Sequence, residues 1–446
     1  MYILYVCNAE STMNYISTTG AGGVVSLSEA VVSCVARDGG LYLPERIPEL
    51  PKAFMKNMSE MSLRDIAFVV ANSFFDEDVP ASALKKIVDE AFAFDAPLVE
   101  VAPDRYVLEL FHGPTLTVKD YGARFMSRLL KHLSRPGEHR NIIVATTGNT
   151  GAAVAASFHN MEGTDVFVLY PRGRLSRPAV AQFTSLGANI HPVEVAGSIE
   201  DCKRMLEQAI SDPALSSARI IGANSINIAR LLPMAALAFH AYSRLGAMGV
   251  SDAENALYAT PCGNLSCLVG AVISRKMGLP MGGIVGGYNI NSTLGSLLDG
   301  TFNGEIPAPT ATFSPAIDMS YPSGWPRLNT LYKGDLRAAS TDIIRTQAID
   351  DASTANIVNT LHSHGYAIDT HGAVAWAAAE FVDSKAPRVI FATGHPAKQL
   401  DIMTRITGAA IELPVQLTRF MSVKRQPTKI APTLPALRKL ILTVNS

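Results

Sequence analysis

From Val118 onward the apolar positions Val118, Tyr121, Phe125, Met126, Leu129, Leu130 and Leu133 fall three or four apart, the stripe of an amphipathic helix. Pro114 and Thr115 just upstream supply helix-entry chemistry. Further on, short apolar runs alternate with helical segments. NIIVATT (141–147) reads as a buried strand, and GNTGAAVAASFH after it as a helix. DVFVLYP (165–171) is a second strand, followed by a helix with Ser176 as cap, Pro178 in the first turn and Gly187 as stop. NIHPVEVAG leads to a helix from Ser198, with Asp201 completing a capping-box arrangement. ALYAT (256–260), GGIVGG (282–287) and RVIFATG (388–394) add buried strands. Strands alternating with helices imply parallel βαβ units, hence a layered α/β fold with parallel-rich sheets flanked by helices.

The same pattern divides the chain. Residues 1–95 are more helical and form an N-terminal domain. The βα segment 141–225 is assigned to a small domain, and 96–140 with 226–423 to a large one. NGEIPAPTATFSP (303–315) reads as a long surface loop, and 424–446 as a peripheral C-terminal tail.

Composition narrows the function classes. With 446 residues, 48% hydrophobic and 17% charged, the chain has the makings of a large buried core. A net charge of −1 argues against a dedicated nucleic-acid binder. Five cysteines (Cys7, Cys34, Cys202, Cys262, Cys267) without a Cys-x-x-Cys pair read as reduced thiols, with neither a disulfide framework nor a zinc site. The N-terminal MYILYVCNAE is apolar but short, and no Lys or Arg precedes Arg37, so no secretory or transit peptide is expected. No stretch has the ~18 apolar residues of a transmembrane helix, and a cytoplasmic location with no membrane partner follows.

Lys119 changes the picture. The first turn of a helix favours Asp or Glu, as at Asp120, over a cation. Three loops follow strands or open helices: TTGNTG (146–151), TPCGNLS (260–266) and ATGHPAK (392–398). Ligands gather at the carboxyl ends of strands in open α/β sheets, and helix N-termini there bind anions. On spacing alone two readings of Lys119 stand. It is either a helix-end lysine reaching solvent, or a reactive amine of lowered pKa, the kind that forms Schiff bases with carbonyls.

The segment FHGPTLTVKDYGARF resembles the pyridoxal-phosphate lysine segment of threonine synthases. SLSEAVVSCVARDGGLYLPE (26–45), YPRGRLSRPAVAQF, GANSINIARLL, YNINSTL, TFSPAIDMSYPSGWPRL and ATGHPAK are similar to further blocks of that family, together spanning roughly residues 15 to 400. The resemblance implies the fold of tryptophan synthase β-type pyridoxal enzymes, with pyridoxal 5′-phosphate as cofactor. It implies conversion of O-phospho-L-homoserine and water to L-threonine and phosphate, with a phosphorylated amino acid as small-molecule partner and a monomer or homodimer. By the same resemblance Lys119 would hold the cofactor as a Schiff base, and Asn149 would bond its ring hydroxyl. The turn Gly263, Asn264, Leu265 and Ser266 would cradle its phosphate, and Thr393 would face its pyridine nitrogen. Thr147, Gly148 and Thr150 would meet the substrate carboxylate, and Asn224, Ser225 and Arg230 the substrate phosphate.

Each position also has a plainer reading. Asn149 caps the following helix, Asn264 is a turn residue, Arg230 pairs with a carboxylate, and Thr393 ends a strand. His112, His371 and His395 read as satisfied structural residues. His362 and His364 flank a helix end, and no metal site is expected. The chain departs from the family pattern at Val118, Tyr121, TTGNTG, Ser266, DTHGAV (369–374) and Gln399. These departures keep open a divergent lyase or transferase on the same scaffold, acting by phosphate elimination or β/γ-replacement, and more remotely a non-catalytic cofactor-binding module.

Overall fold

The computed structural model describes residues 13–75, 78–423 and 425–445. The segment MYILYVCNAE and Cys7 lie outside the described residues. Two sheets carry the architecture. One has six strands in the order Ile343–Ala348, Gly283–Tyr288, Leu257–Pro261, Arg388–Ala392, Arg105–Glu109, Leu98–Ala102. All its pairings are parallel except the last, which is an antiparallel hairpin. The other has five parallel strands in the order Thr428–Ile430, Ile190–Val195, Thr164–Pro171, Arg140–Ala145, Ile220–Gly222. Buried Val, Ile and Leu runs in the central strands account for the two-sided burial that parallel sheets require.

The helices expected from periodicity form at Lys119–Leu133, Asn149–Phe158, Arg177–Thr184 and Ile199–Ile210. Ser176 accepts from the Ala179 N–H, and Ser198 with Asp201 closes a reciprocal capping box. The strand read as 141–147 ends at Ala145. There the Thr146 hydroxyl turns the chain by accepting the N–H groups of Gly148 (2.9 Å) and Gly151 (2.8 Å). Residues 303–314 carry no regular element and are largely exposed, as expected of a surface loop.

One expectation needs correction. The segment read as a peripheral tail supplies an edge strand, Thr428–Ile430, paired with Ile190–Val195. Its helix Leu434–Val444 buries Leu437 and Ile441, four residues apart on one face, in the same core as the Ile199–Ile210 helix. The N-terminal region is helical but also holds a three-stranded antiparallel sheet: Val24–Val25, Tyr15–Ser17, Tyr42–Pro44. Strands of two or three residues are too short to show a period of two.

The helix Thr370–Glu380 sets one wall of the later site. Ala-rich and buried on all sides, it lies directly on the six-stranded sheet. A Cβ at Gly287 would meet the Val374 carbonyl oxygen at 2.6 Å, so only glycine allows this approach. The helix N-terminus, with Asp369, Thr370 and His371, is thereby brought to the carboxyl end of the Arg388–Ala392 strand.

Candidate active site

The carboxyl ends of strands in both sheets open on one cleft, with Ala145, Asn224, Pro261 and Thr393 on its walls. Lys119, the first residue of its helix, lines it. The loop before it is held at several points. Val118 N–H and the Thr117 hydroxyl donate to the Thr393 carbonyl (2.9 and 3.1 Å), and His395 N–H donates to the Leu116 carbonyl (3.1 Å). Asp120 turns back to accept from the Thr115 N–H (2.9 Å) and hydroxyl (2.6 Å). The acidic residue that the helix dipole favours thus fastens the loop, and the lysine beside it is directed at the cleft.

The Lys119 Nζ lies 3.5 Å from Asn264 Oδ1. Burial lowers its pKa below the ordinary lysine value. Cys267 opposes that shift, and the nearby Arg230 charge adds to it. A half-buried amine without a carboxylate partner is the state a nucleophilic lysine needs.

Across the cleft, the strand Leu257–Pro261 ends in the turn that starts the Ser266–Lys276 helix. Leu265 adopts a left-handed conformation (φ 64°) and Ser266 N–H donates to Asn264 Oδ1 (3.1 Å). Gly263 and Asn264 face the cleft, whereas Leu265 and Ser266 are buried in the turn behind them. A Cβ on Gly263 would stand 3.0 Å from the Ile317 Cα, so the turn and the 315–319 segment approach as closely as backbone permits. This cradle beside a helix N-terminus fits a phosphate bound by main-chain N–H groups. Gly263→Ala is expected to push the cradle open and weaken cofactor binding roughly tenfold while the fold persists, on the scale of overpacking costs of about 1–3 kcal/mol. Titration of the apo-protein with pyridoxal phosphate, followed in the visible, measures it, and unchanged affinity would remove the cradle from the cofactor site.

The TTGNTG loop forms a third wall. Thr146, not Asn149, supplies the turn-stabilising oxygen, so the capping role read for Asn149 falls to its neighbour. Asn149 lines the cleft with no side-chain cap bond. Thr147 and Thr150 line it too, while Gly148 (φ 126°) is buried at the bend. Thr393 completes this side of the cleft, its carbonyl committed to the lysine loop.

NSINIAR is divided by the structure. Asn224 and Ser225 line the cleft. The Asn224 amide extends the sheet, accepting from Ala145 N–H (3.0 Å) and donating to the Ala145 carbonyl (2.8 Å). The Ser225 hydroxyl accepts from Asn264 Nδ2 (3.0 Å). Arg230 is the correction. It is 5% exposed and absent from the cleft surface, and its guanidinium donates to the carbonyls of Ala223 (2.6 Å) and Lys119 (3.5 Å). It pairs with neither a phosphate-facing wall nor a surface carboxylate in this conformation, because the short helix Ile228–Leu231 turns it under the Lys119 helix. It acts on the site as a buried charge behind Lys119.

Arg327 was not legible as a site residue. Wholly buried, it donates to the carbonyls of Tyr42 (2.9 Å), Ser225 (2.7 Å) and Ile226. Burial holds its pKa down at about 10, with Cys34 opposing. It ties the N-terminal sheet to the Asn224–Ser225 wall. The signal was one arginine inside an otherwise apolar and small-residue block, SGWPRL.

Among the histidines, His112 bonds Glu109 (2.7 Å) and His395 accepts the Ala397 N–H (3.1 Å), as structural residues do. His371 lines the cleft. Its Nδ1 meets Asp369 Oδ1 at 2.7 Å and its Nε2 accepts from Ala316 N–H at 3.1 Å, latching the 315–319 segment. The departures at 369–374 and 399 meet here: the Thr370 hydroxyl donates to Gln399 Oε1 (2.5 Å), and Gln399 Nε2 lies 3.2 Å from His371 Nε2. They form one hydrogen-bonded unit beside the cleft. Among the described residues no cluster of side chains suited to a metal is found.

Residues 14–92 match the family model "Threonine synthase N terminus", and 100–394 match "Pyridoxal-phosphate dependent enzyme". The threonine synthase of Haemophilus influenzae is 34% identical over 400 residues, covering 89% of this chain and 91% of that protein. That of Escherichia coli is 32% identical, covering 94% and 96%. The chain belongs to the threonine synthase family. Among solved structures, Escherichia coli threonine synthase superposes with a TM-score of 0.90 at 30% identity, covering 97% of this chain and all of that one. A PLP-bound threonine synthase from Brucella melitensis gives 0.88 at 29% identity, covering 96% and 99%. The protein is therefore a pyridoxal-phosphate-dependent lyase of the threonine synthase type, with the fold class expected from its strand–helix alternation. The residues on the cleft fit that cofactor: an amine of lowered pKa, a glycine-tight anion cradle opposite it, and an uncommitted amide and hydroxyl between them. Among the described residues no helix is long and apolar enough to cross a membrane.

Proposed function

We propose that this protein converts O-phospho-L-homoserine and water to L-threonine and phosphate. The observation that carries the reading is Lys119 opening on the shared cleft of a chain related to threonine synthases over nearly its whole length. Bound pyridoxal phosphate supplies the electron sink that lets protons leave the carbons next to the substrate amine. Lys119 would hold the cofactor through Nζ, and the same amine is placed to carry protons at the substrate's α- and β-carbons. Burial lowers its pKa, which favours the neutral amine that such proton transfer needs.

The substrate's carboxylate is bound at the start of the Asn149–Phe158 helix. Thr146 takes the N–H groups of Gly148 and Gly151. The Thr147, Asn149 and Thr150 amides and the two threonine hydroxyls are left for the anion, with the helix dipole behind them. The substrate phosphate is bound by the hydroxyl of Ser225 and the second amide hydrogen of Asn224. Arg230 adds its charge from beneath the wall. Asn149 would bond the cofactor's ring hydroxyl and Thr393 would face its ring nitrogen. The released phosphate, kept at Ser225 and Asn224, accepts the proton of the attacking water, so the mechanism asks no carboxylate base of the cleft.

Among the described residues the cysteines Cys34, Cys202, Cys262 and Cys267 are buried and free, which supports a reducing, cytoplasmic setting. The deciding experiment incubates the holoenzyme with O-phospho-L-homoserine in ¹⁸O-water. Threonine carrying ¹⁸O in its hydroxyl, with unlabelled phosphate, is the expected product pair. A 2-oxo acid in place of threonine would assign the chain to the divergent lyases, and no turnover would withdraw the substrate.

A further inference from the structure

A second buried lysine lies close to the site yet off the cleft. Lys398 is 4% exposed, and its Nζ donates to the Thr115 carbonyl (2.7 Å) and to Gln182 Oε1 (2.6 Å). The Gln182 Nε2 donates in turn to the same Thr115 carbonyl (3.2 Å), closing a triangle. Thr115 and Gln182 are both fully buried. Three separate elements meet in it: the loop after the Arg388–Ala392 strand, the Arg177–Thr184 helix that flanks the five-stranded sheet, and the loop that presents Lys119. Thr115 is also the residue whose N–H and hydroxyl hold Asp120, immediately after Lys119. The Ser176 hydroxyl donates to the Lys398 carbonyl (3.3 Å), so the helix cap is joined to the same point.

We infer that Lys398 is a positioning residue for Lys119, a strut that holds the lysine loop in register with the helix across the cleft. A hydrophobic residue would fill the space but bond neither acceptor, and the Thr115 carbonyl and Gln182 amide would be left underbonded in a dry interior. Lysine alone among long side chains offers several donors on one compact, rotatable head. Burial depresses the Lys398 pKa to about 7, and the Asp120 carboxylate opposes the shift. A neutral amine still has two N–H donors for the two acceptors, so the triangle survives loss of the charge.

The test compares full-length wild type, Lys398→Met and Gln182→Met. Gln182→Met removes the same bond from its other end and keeps the lysine. Amide hydrogen exchange is followed in the apo-proteins, and the pH midpoint of the visible cofactor band in the holoenzymes. Both variants are expected to speed exchange of residues 113–121 by about tenfold or more, the scale of a lost hydrogen bond to a charged group. The remote helix Leu63–Phe75 is expected to exchange as before. The cofactor-band midpoint is expected to shift in both, with kcat falling more than KM rises. If Lys398→Met does not fold, Gln182→Met alone decides. Unchanged exchange at 113–121, or a uniform rise across the chain with an unmoved midpoint, would overturn the positioning role and leave a plain packing residue.

Discussion

Lys119→Ala is expected to yield a colourless protein with no measurable turnover. On the proposed assignment the substitution removes both the amine that would hold the cofactor and the base that would move the substrate's protons. Loss of a positioned proton carrier alone costs about 10²–10⁴ in rate, and loss of covalent attachment compounds it. The structure makes the assignment sharper than a motif does, because half-buried Lys119 and buried Lys398 both have depressed pKa values. Lys398 is spent on Thr115 and Gln182, whereas the Lys119 Nζ has only a 3.5 Å contact to Asn264 and opens on the cleft. Borohydride reduction of the holoenzyme and peptide mapping should place the cofactor on Lys119. Label on Lys398, or a variant that keeps its colour, would end this account.

The second large effect is structural. Arg327→Met is expected to destabilise the protein by roughly 3 kcal/mol or more, since each buried carbonyl left without its donor costs about 1–3 kcal/mol. Relief of the buried charge offsets part of that sum. Two of the three carbonyls belong to Ser225 and Ile226, so the damage should concentrate at the wall proposed to bind the substrate phosphate. Affinity for O-phospho-L-homoserine should fall by about tenfold or more even where the variant is folded. A lowered denaturation midpoint with unchanged substrate affinity would confine Arg327 to stability. An unchanged midpoint would show that water reaches these carbonyls.

Local pattern carried a large share of this protein. The 3–4 spacing after Val118, the capping box at Ser198 and the buried runs before each Gly-rich turn are contained within windows of a dozen residues, and each formed where expected. TPCGNLS and ATGHPAK meet because their strands are parallel neighbours in one sheet, whereas TTGNTG follows a strand of the other sheet and reaches the cleft only through the way the two sheets pack. What those windows cannot hold is the partner at long range. Asn149 and Thr146 both suit a helix start, and the turn geometry gave the bonding to Thr146. Arg230 looks like an anion ligand in NSINIAR until the short helix turns it beneath Lys119. Residues 428–430 look like tail because a three-residue edge strand is defined by the strand it joins.

By itself the sequence determined the lysine, the loops and the order of strands and helices, since these follow from backbone preferences and apolar periodicity over short spans. Only the tertiary structure decided which polar groups remain free to meet a ligand. A buried donor must be bonded somewhere, and for Arg327 and Lys398 that partner lies up to 285 residues away, chosen by packing that no local pattern records.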